Sequence, residues 1–271
     1  MKRIYFLIIF VLISTVLFQI SYAQKTKNIT IQFTDEEKNW LENNKEITFG
    51  ADFNWPPFDF VDKNDKHTGL SSEYMKIIEK QTGMKINVIP GVWSYILNQA
   101  KTGKIDGITA AVRTSEREEY LRFSEPFIEV PLVIITRTNR EDIKEFNDIK
   151  EKTIAVNKGS YIHEYLIKQK LDVYLALRSS NKECLEAVSY GKADAYIGNL
   201  SAYTNIAEEE MITNLKVIGE MPGWSAPISI AVTKNNTILY SIINKILDNI
   251  SDVGHRKLRD KWFQESLLSE C

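Results

Sequence analysis

Hydrophobic positions along this chain switch between two periods. From about residue 45, short apolar runs alternate with segments whose apolar residues recur at helical spacing, which predicts an α/β architecture. Before that alternation begins, Thr34-Asp35-Glu36-Glu37 forms a capping-box pattern and opens a first helix carrying Trp40 and Leu41. Strand Ile47 to Ala51 follows, then a helix with Tyr74, Ile77 and Ile78 that Gly83 closes. Strand Ile86 to Ile89 leads to a helix with Trp93, Ile96, Leu97 and Ala100, ended by Gly103, and strand Ile105 to Val112 completes the half. Leu132 to Thr136 is apolar enough for a buried strand or a crossover.

A second alternating unit begins at strand Thr153 to Val156, which runs through Lys158-Gly159-Ser160 into a helix reaching Leu166. Strand Val173 to Leu177 precedes a helix with a second capping box, Ser180 to Glu183, ended by Gly191. Ala193 to Gly198 reads as a strand meeting Asn199, and Leu215 to Ile218 and Ile228 to Val232 read as two further β runs. Two terminal helices carry Ile238, Ile242, Ile246, Leu258 and Trp262, with Trp262 and Phe263 expected to pack back onto the first half. There is no repeat of fixed period and no low-complexity linker.

The N-terminus breaks the pattern. Lys2 and Arg3 precede an apolar run from Ile4 to Ile20 and then Ser21-Tyr22-Ala23, which reads as a Sec signal peptide cleaved after Ala23. The alternative is a membrane anchor, since about 20 apolar residues span a bilayer; Ser14, Thr15 and Gln19 dilute the run and favour cleavage. A periplasmic or secreted location is the expectation. No cysteine follows until Cys184, so lipoprotein acylation has no acceptor.

Composition adds mostly exclusions. The 271 residues are 44% hydrophobic and 26% charged, ordinary for a globular protein. Without Lys2 and Arg3, the 34 Lys and Arg fall to 32 against 36 Asp and Glu, a net charge of about −4. That balance does not favour nucleic acid, and the basic stretch His255 to Lys261 reads as a solvated helix face. Cys184 and Cys271 are too few for a disulfide framework, and Cys184 lies on an apolar helix face with Leu185 and Val188. His67, His163 and His255 share no metal-ligand spacing, so neither a metal nor a cofactor is implied.

The chemistry concentrates between Val112 and Phe127. Arg117 stands in a Thr-Ser-Glu-Arg turn after an apolar strand, and Phe123-Ser124-Glu125-Pro126-Phe127 follows. A guanidinium matches a carboxylate bidentately and stays charged; a surface pairing with Glu116, Glu118 or Glu119 is the plainer reading. Asp52 to Phe58 forms an aromatic, proline-fixed loop in which Trp55 offers a broad wall with one N–H donor and Phe58 suits the core. Trp93 opens its helix as a second apolar wall. Gly159, Ser160 and Tyr161 stand at a helix start, where free N–H groups favour an anion or carbonyl and Ser160 suits an N-cap.

The order of these motifs, over about residues 34 to 264, resembles the bacterial extracellular solute-binding proteins of family 3. The resemblance implies a type II periplasmic-binding fold with two lobes, lobe 2 inserted into lobe 1 through two crossings near 130 and 225. It places a signal peptide at 1–23, lobe 1 at 24–131 and 226–271, and lobe 2 at 132–225. It implies that Arg117 holds the acidic end of a small carboxylate-bearing solute, with the Val112 backbone N–H beside it. The family's small hydroxyl contact falls in Thr109-Ala110-Ala111, with Thr109 displaced by one residue. Asn199 stands where amino-acid binders usually carry an acid for the α-ammonium, so a standard α-amino acid is not implied; Asp194 reads as structural.

Three function classes follow from the resemblance. The first is a monomeric binding protein serving an ABC-type permease. Phe33 to Leu41, Trp55-Pro56-Pro57-Phe58, Lys192 to Tyr196 and Gly198-Asn199-Leu200 also look like flytrap input domains of bacterial sensor kinases, which makes a ligand-sensing module with a signalling partner the second. Such sensors carry a membrane helix and an output domain further on, so this chain is expected to be a free-standing relative or a piece of a longer sensor. A dehydratase acting on small carboxylated rings is the third; with Asn199 in place of a cleft acid, no enzyme is expected.

Overall fold

The computed structural model describes residues 31–263; the expected signal peptide and its cleavage point lie outside them. Strand β1 (Glu46–Asp52) runs parallel between β5 (Lys85–Gly91) and β6 (Gly107–Val112). In the second half β9 (Thr153–Asn157) runs parallel between β10 (Tyr174–Arg178) and β11 (Ala195–Asn199). Parallel neighbours need crossovers. Helices α2 (Leu70–Thr82) and α3 (Trp93–Lys101) supply them in the first half, α4 (Tyr161–Lys168) and α5 (Asn181–Ser189) in the second.

Two long antiparallel strands join the halves. β8 (Ile128–Arg137) pairs with β12 (Leu215–Thr233), β8 also pairs with β11, and β12 also pairs with β6. One sheet therefore runs β10-β9-β11-β8-β12-β6-β1-β5, with β7 (Leu121–Phe123) against the end of β12. The alternation of directions makes β11 antiparallel to β6. The carboxyl ends of the two parallel sets consequently face one another.

The apolar run at Leu132 to Thr136 is both a strand and a crossover, since β8 begins in one half and ends in the other. The runs expected separately at Leu215 to Ile218 and Ile228 to Val232 are ends of the single strand β12. Its ladder shifts between Glu220 and Ser225, where Pro222 lacks a donor and Gly223 takes φ +68°. Pairing then resumes, with Ser225 opposite Pro131 and Pro227 opposite Glu129. Other boundaries move by one or two residues: β6 starts at Gly107, and β11 spans Ala195–Asn199. A three-stranded sheet of β2 (Asn54–Trp55), β3 (Asp59–Val61) and β4 (His67–Thr68) was not expected.

Caps decide where helices begin. Thr34 and Glu37 form the reciprocal box ahead of α1 (Asp35–Asn43), and Glu37 reaches on to Ser241 and Lys245 of α7 (Thr237–Asp248). The second box is half made: the Ser180 hydroxyl accepts from Glu183 N–H, whereas the Glu183 carboxylate turns to Ser179. Each half buries its own core. Ile96, Ile108, Leu121 and Phe123 cluster in the first; Ile135, Cys184, Leu185 and Ile206, the last on α6 (Leu200–Glu209), cluster in the second. Cys184 is a fully buried core residue.

The last helix, α8 (Asp252–Asp260), is tied to the first half. Phe263 is buried with its ring 5.5 Å from that of fully buried Phe58, and Trp262 meets Phe60 edge-on. His255 Nδ1 lies 2.8 Å from the Tyr74 hydroxyl, and Lys261 pairs with Glu73 at 2.8 Å. Ending the chain after Gly254 removes these contacts and is expected to cost at least about 3 kcal/mol, the scale of one buried Phe. An unchanged urea-unfolding midpoint would show that the segment contributes nothing to the fold.

Candidate functional site

Strand ends build the site. Asp52, Val112, Asn157 and Asn199 are the final residues of β1, β6, β9 and β11, and the opposed halves bring them together. Carboxyl ends of parallel strands are the usual place for a ligand in open α/β sheets. Side chains from both halves close the gap to a cavity of about 30 Å³, room for a water or two. Trp55, Trp93, Arg117, Ser160, Tyr161 and Asn199 all line it, together with Val112.

Arg117 sits on a 3-10 turn just beyond β6 and is 1% exposed, so the surface-pairing reading does not hold. Its partner is Glu164 on α4, in the other half. Nε and Nη2 each lie 2.9 Å from Glu164 Oε1. Nη1 donates to the Val112 carbonyl at 2.9 Å and Nη2 to the Gly159 carbonyl at 2.9 Å. The guanidinium also stacks over Trp93, 5.1 Å from the ring centre. What meets Arg117 at Val112 is thus the carbonyl.

Gly159 stands apart from the other expected site residues. It is not part of the cavity wall; its carbonyl holds Arg117 and the Trp93 indole N–H (2.8 Å), binding the halves together. Only glycine suits the position. Its φ is +78°, and a Cβ there would meet Leu97 at 3.3 Å. Ser160 caps α4 by accepting from His163 N–H at 3.1 Å.

Asn199 shows a donor where an acid was the family expectation. Its Oδ1 accepts from Trp55 Nε1 at 3.0 Å and from the Tyr161 hydroxyl at 3.3 Å, leaving Nδ2 buried with no partner. Asn157 Oδ1 is likewise buried and unpartnered. One free donor and one free acceptor therefore border the cavity, a mismatch the protein leaves for something else to satisfy. Asn181 crosses between the halves: its amide donates to the Asn54 carbonyl at 3.0 Å and its Oδ1 accepts from Tyr196.

Two buried acids lie on the first half. Burial pushes the Asp52 carboxyl up to about 7, the Asn54 backbone N–H opposes the shift, and Asp59 nearby adds to it. Asp59 is fully buried and accepts from Ser71 at 2.6 Å and Thr109 at 2.8 Å, with His67 Nε2 at 2.5 Å. The Thr109 hydroxyl is therefore engaged away from the cavity. Asp194 holds Arg140 and the Thr153 N–H on the far side of the second half, a structural placement. Asp52, Asn157, Asn181, Tyr196 and Glu164 are not assigned to the site by sequence, although Asp52 and Tyr196 lie in motifs named there; Asp52 and Asn157 carry a signal after all, a polar residue ending an apolar strand. Among the described residues no group of three His, Cys, Asp or Glu could hold a metal ion, and no helix is long and apolar enough to cross a membrane.

Comparison with known proteins places this geometry. Virulence sensor protein BvgS of Bordetella pertussis is 25% identical over 244 residues, covering 89% of this chain and 20% of BvgS, so the chain spans a fifth of that relative. The probable amino-acid-binding protein YxeM of Bacillus subtilis is 27% identical over 235 residues, 84% of this chain and 88% of YxeM. The crystal structure of a histidine kinase sensor domain with similarity to periplasmic binding proteins superposes with a TM-score of 0.77 at 22% identity, covering 82% of this chain and 98% of that domain. That last likeness is one of fold, the two-lobed type II periplasmic-binding architecture. Residues 47–265 match the profile of a single family, so the chain belongs to the bacterial extracellular solute-binding proteins, family 3.

Proposed function

We propose that this chain is an extracytoplasmic binding protein that encloses a small carboxylate-bearing solute, an amino acid or a related compound, between its lobes. The observation that carries the reading is the pair of unpartnered buried amide atoms, Asn199 Nδ2 and Asn157 Oδ1, beside Arg117 in a cavity walled by both halves. Lobe 1 is assigned to 24–131 and 226–271 and lobe 2 to 132–225, with 1–23 a signal peptide removed after Ala23. Capture begins on lobe 1, and closure adds lobe 2, stabilised only by the solute's differential affinity for the closed state. The binding unit is a monomer delivering to an ABC-type permease in the periplasm or outside the cell. Similarity to YxeM supports an amino-acid-like solute.

The second reading is a ligand-sensing input module. It is favoured by the bonds that hold the halves together through the chain's own side chains, Trp55 to Asn199, Trp93 to Gly159 and Arg117 to Glu164, and by the likeness to BvgS. A downstream reading frame encoding a membrane helix and a kinase would decide for it. No catalytic role is proposed. Turnover of prephenate would overturn that position, with Asp52 the first acid to replace.

A thermal-shift screen of amino acids, dicarboxylates and aromatic acids tests the main reading; a true solute at 100 times its Kd adds about 2.7 kcal/mol of stability. Arg117→Ala is expected to weaken that solute by about 2–5 kcal/mol in calorimetry, the usual effect of truncating one partner of a buried charge pair. Unchanged affinity would remove Arg117 from the site. Asn199→Asp replaces the free donor by an acceptor and is expected to shift preference toward α-amino acids over their deaminated analogues. If neither class responds, Asn199 does not face the solute.

Asp52 gives a pH signature. Its folded-state pKa is raised, so its contribution to stability is full below the unfolded value near 4 and fades as pH rises toward about 7. Asp52→Asn removes this dependence. The variant's melting temperature minus that of wild type is expected to grow from pH 4 to pH 7 and then level; a difference flat across that window would place Asp52 in water.

A further inference from the structure

We propose that Glu164 is an internal stand-in for the solute's carboxylate, an intramolecular competitor that holds the cleft shut and determines which solutes can enter. The inference rests on the reading that a solute carboxylate takes Arg117, and it concerns what occupies that guanidinium beforehand. Arg117 and Glu164 belong to opposite halves and are 47 residues apart. The guanidinium is 1% exposed and its edge toward α4 already carries a carboxylate oxygen, while backbone carbonyls accept from one Nη1 and one Nη2 donor. An incoming acid therefore meets a guanidinium whose edge toward α4 is already taken.

The filling is imperfect, and that makes it displaceable. Both contacts run to Oε1 alone, and Oε2 is buried without a partner. A carboxylate gripping the fork with two oxygens would bind it better than Glu164 does. A place exists for the displaced side chain. Glu164 borders a groove of about 740 Å³ on the outer side of the pair, and Lys158, Lys168 and Arg113 line the same groove. Those cations also face an acid approaching from solution.

Selectivity follows from the exchange. A solute with a carboxylate can replace Glu164 on Arg117 and leave the lobes bridged through itself, whereas a neutral solute of the same shape cannot, and must leave the internal pair in place. The other bridges between the halves, Trp55 to Asn199, Asn181 to Asn54, and Trp93 and Arg117 to the Gly159 carbonyl, do not involve Glu164. Loss of Glu164 thus loosens closure without dismantling either core.

Small-angle scattering on the full chain tests this without knowing the solute. Glu164→Ala and the isosteric Glu164→Gln, both checked for a wild-type circular dichroism spectrum, are expected to show a larger radius of gyration than wild type. Acetate is expected to return Glu164→Ala to the wild-type value, with acetamide and chloride at equal concentration ineffective and Arg117→Ala/Glu164→Ala unresponsive. Wild-type dimensions in both single variants, or equal rescue by acetamide, would overturn the proposal. Any carboxylate solute found by screening should bind Glu164→Gln on the order of tenfold tighter than wild type. Equal affinity, with Arg117 still required, overturns the competition and leaves the functional reading standing. Reclosure by acetate with no solute bound from the screen does the reverse.

Discussion

The pairing of β8 with β12 is the constraint on which everything else depends. Parallel strands connected by helices form two halves, and the cavity is lined by residues of both. Antiparallel pairing through two long strands reverses the direction of one set relative to the other. The polar residues that end the strands are thereby brought face to face. Pro131 and Pro227 sit in the ladder where the chain passes between halves, each removing a donor there.

Within the cleft, charge is balanced by the chain itself. Arg117 and Glu164 answer one another across the halves, and burial disfavours the anionic form of Asp52. What remains open is neutral and directional, an amide donor on one strand end and an amide acceptor on another. This differs from a site whose selectivity comes from raw charge. Buried polar groups held with one valence open discriminate by hydrogen-bond pattern, because a solute that cannot match them leaves the penalty in place.

Most of the architecture is legible in the sequence, because helical and apolar periodicities alternate cleanly and glycines or capping residues punctuate them. Gly83 does close its helix, at φ +70°, and Thr34 does cap the first. The failures have physical causes. Leu215 to Ile218 and Ile228 to Val232 read as two runs because the polar and Pro-Gly stretch between them breaks the period, but pairing with β8 resumes at Ser225 and makes them one strand. Strands of two or three residues, such as Asn54–Trp55, are too short to show any period. In the site, Arg117 and Trp55 announce themselves through local motifs, and Glu164 does not, since it resembles any acid in a first helical turn. Its meaning arises only when two distant lobes meet. Asn199 was legible by position but not by polarity, because which amide atom faces inward depends on Trp55, 144 residues away.

The two cleft tryptophans have a consequence for how this molecule can be watched. Trp55 and Trp93 each donate their indole N–H to the opposite half, to the Asn199 side chain and the Gly159 carbonyl. Both rings are nearly buried, at 7% and 5% exposure. Separation of the lobes would strip both indoles of their acceptors and hydrate them together, while Trp40, Trp224 and Trp262 lie away from the cavity wall and Trp224 is already exposed. Intrinsic emission would move to longer wavelength as the cleft opens. The protein carries, where its halves meet across the cavity, an optical gauge of its own conformation.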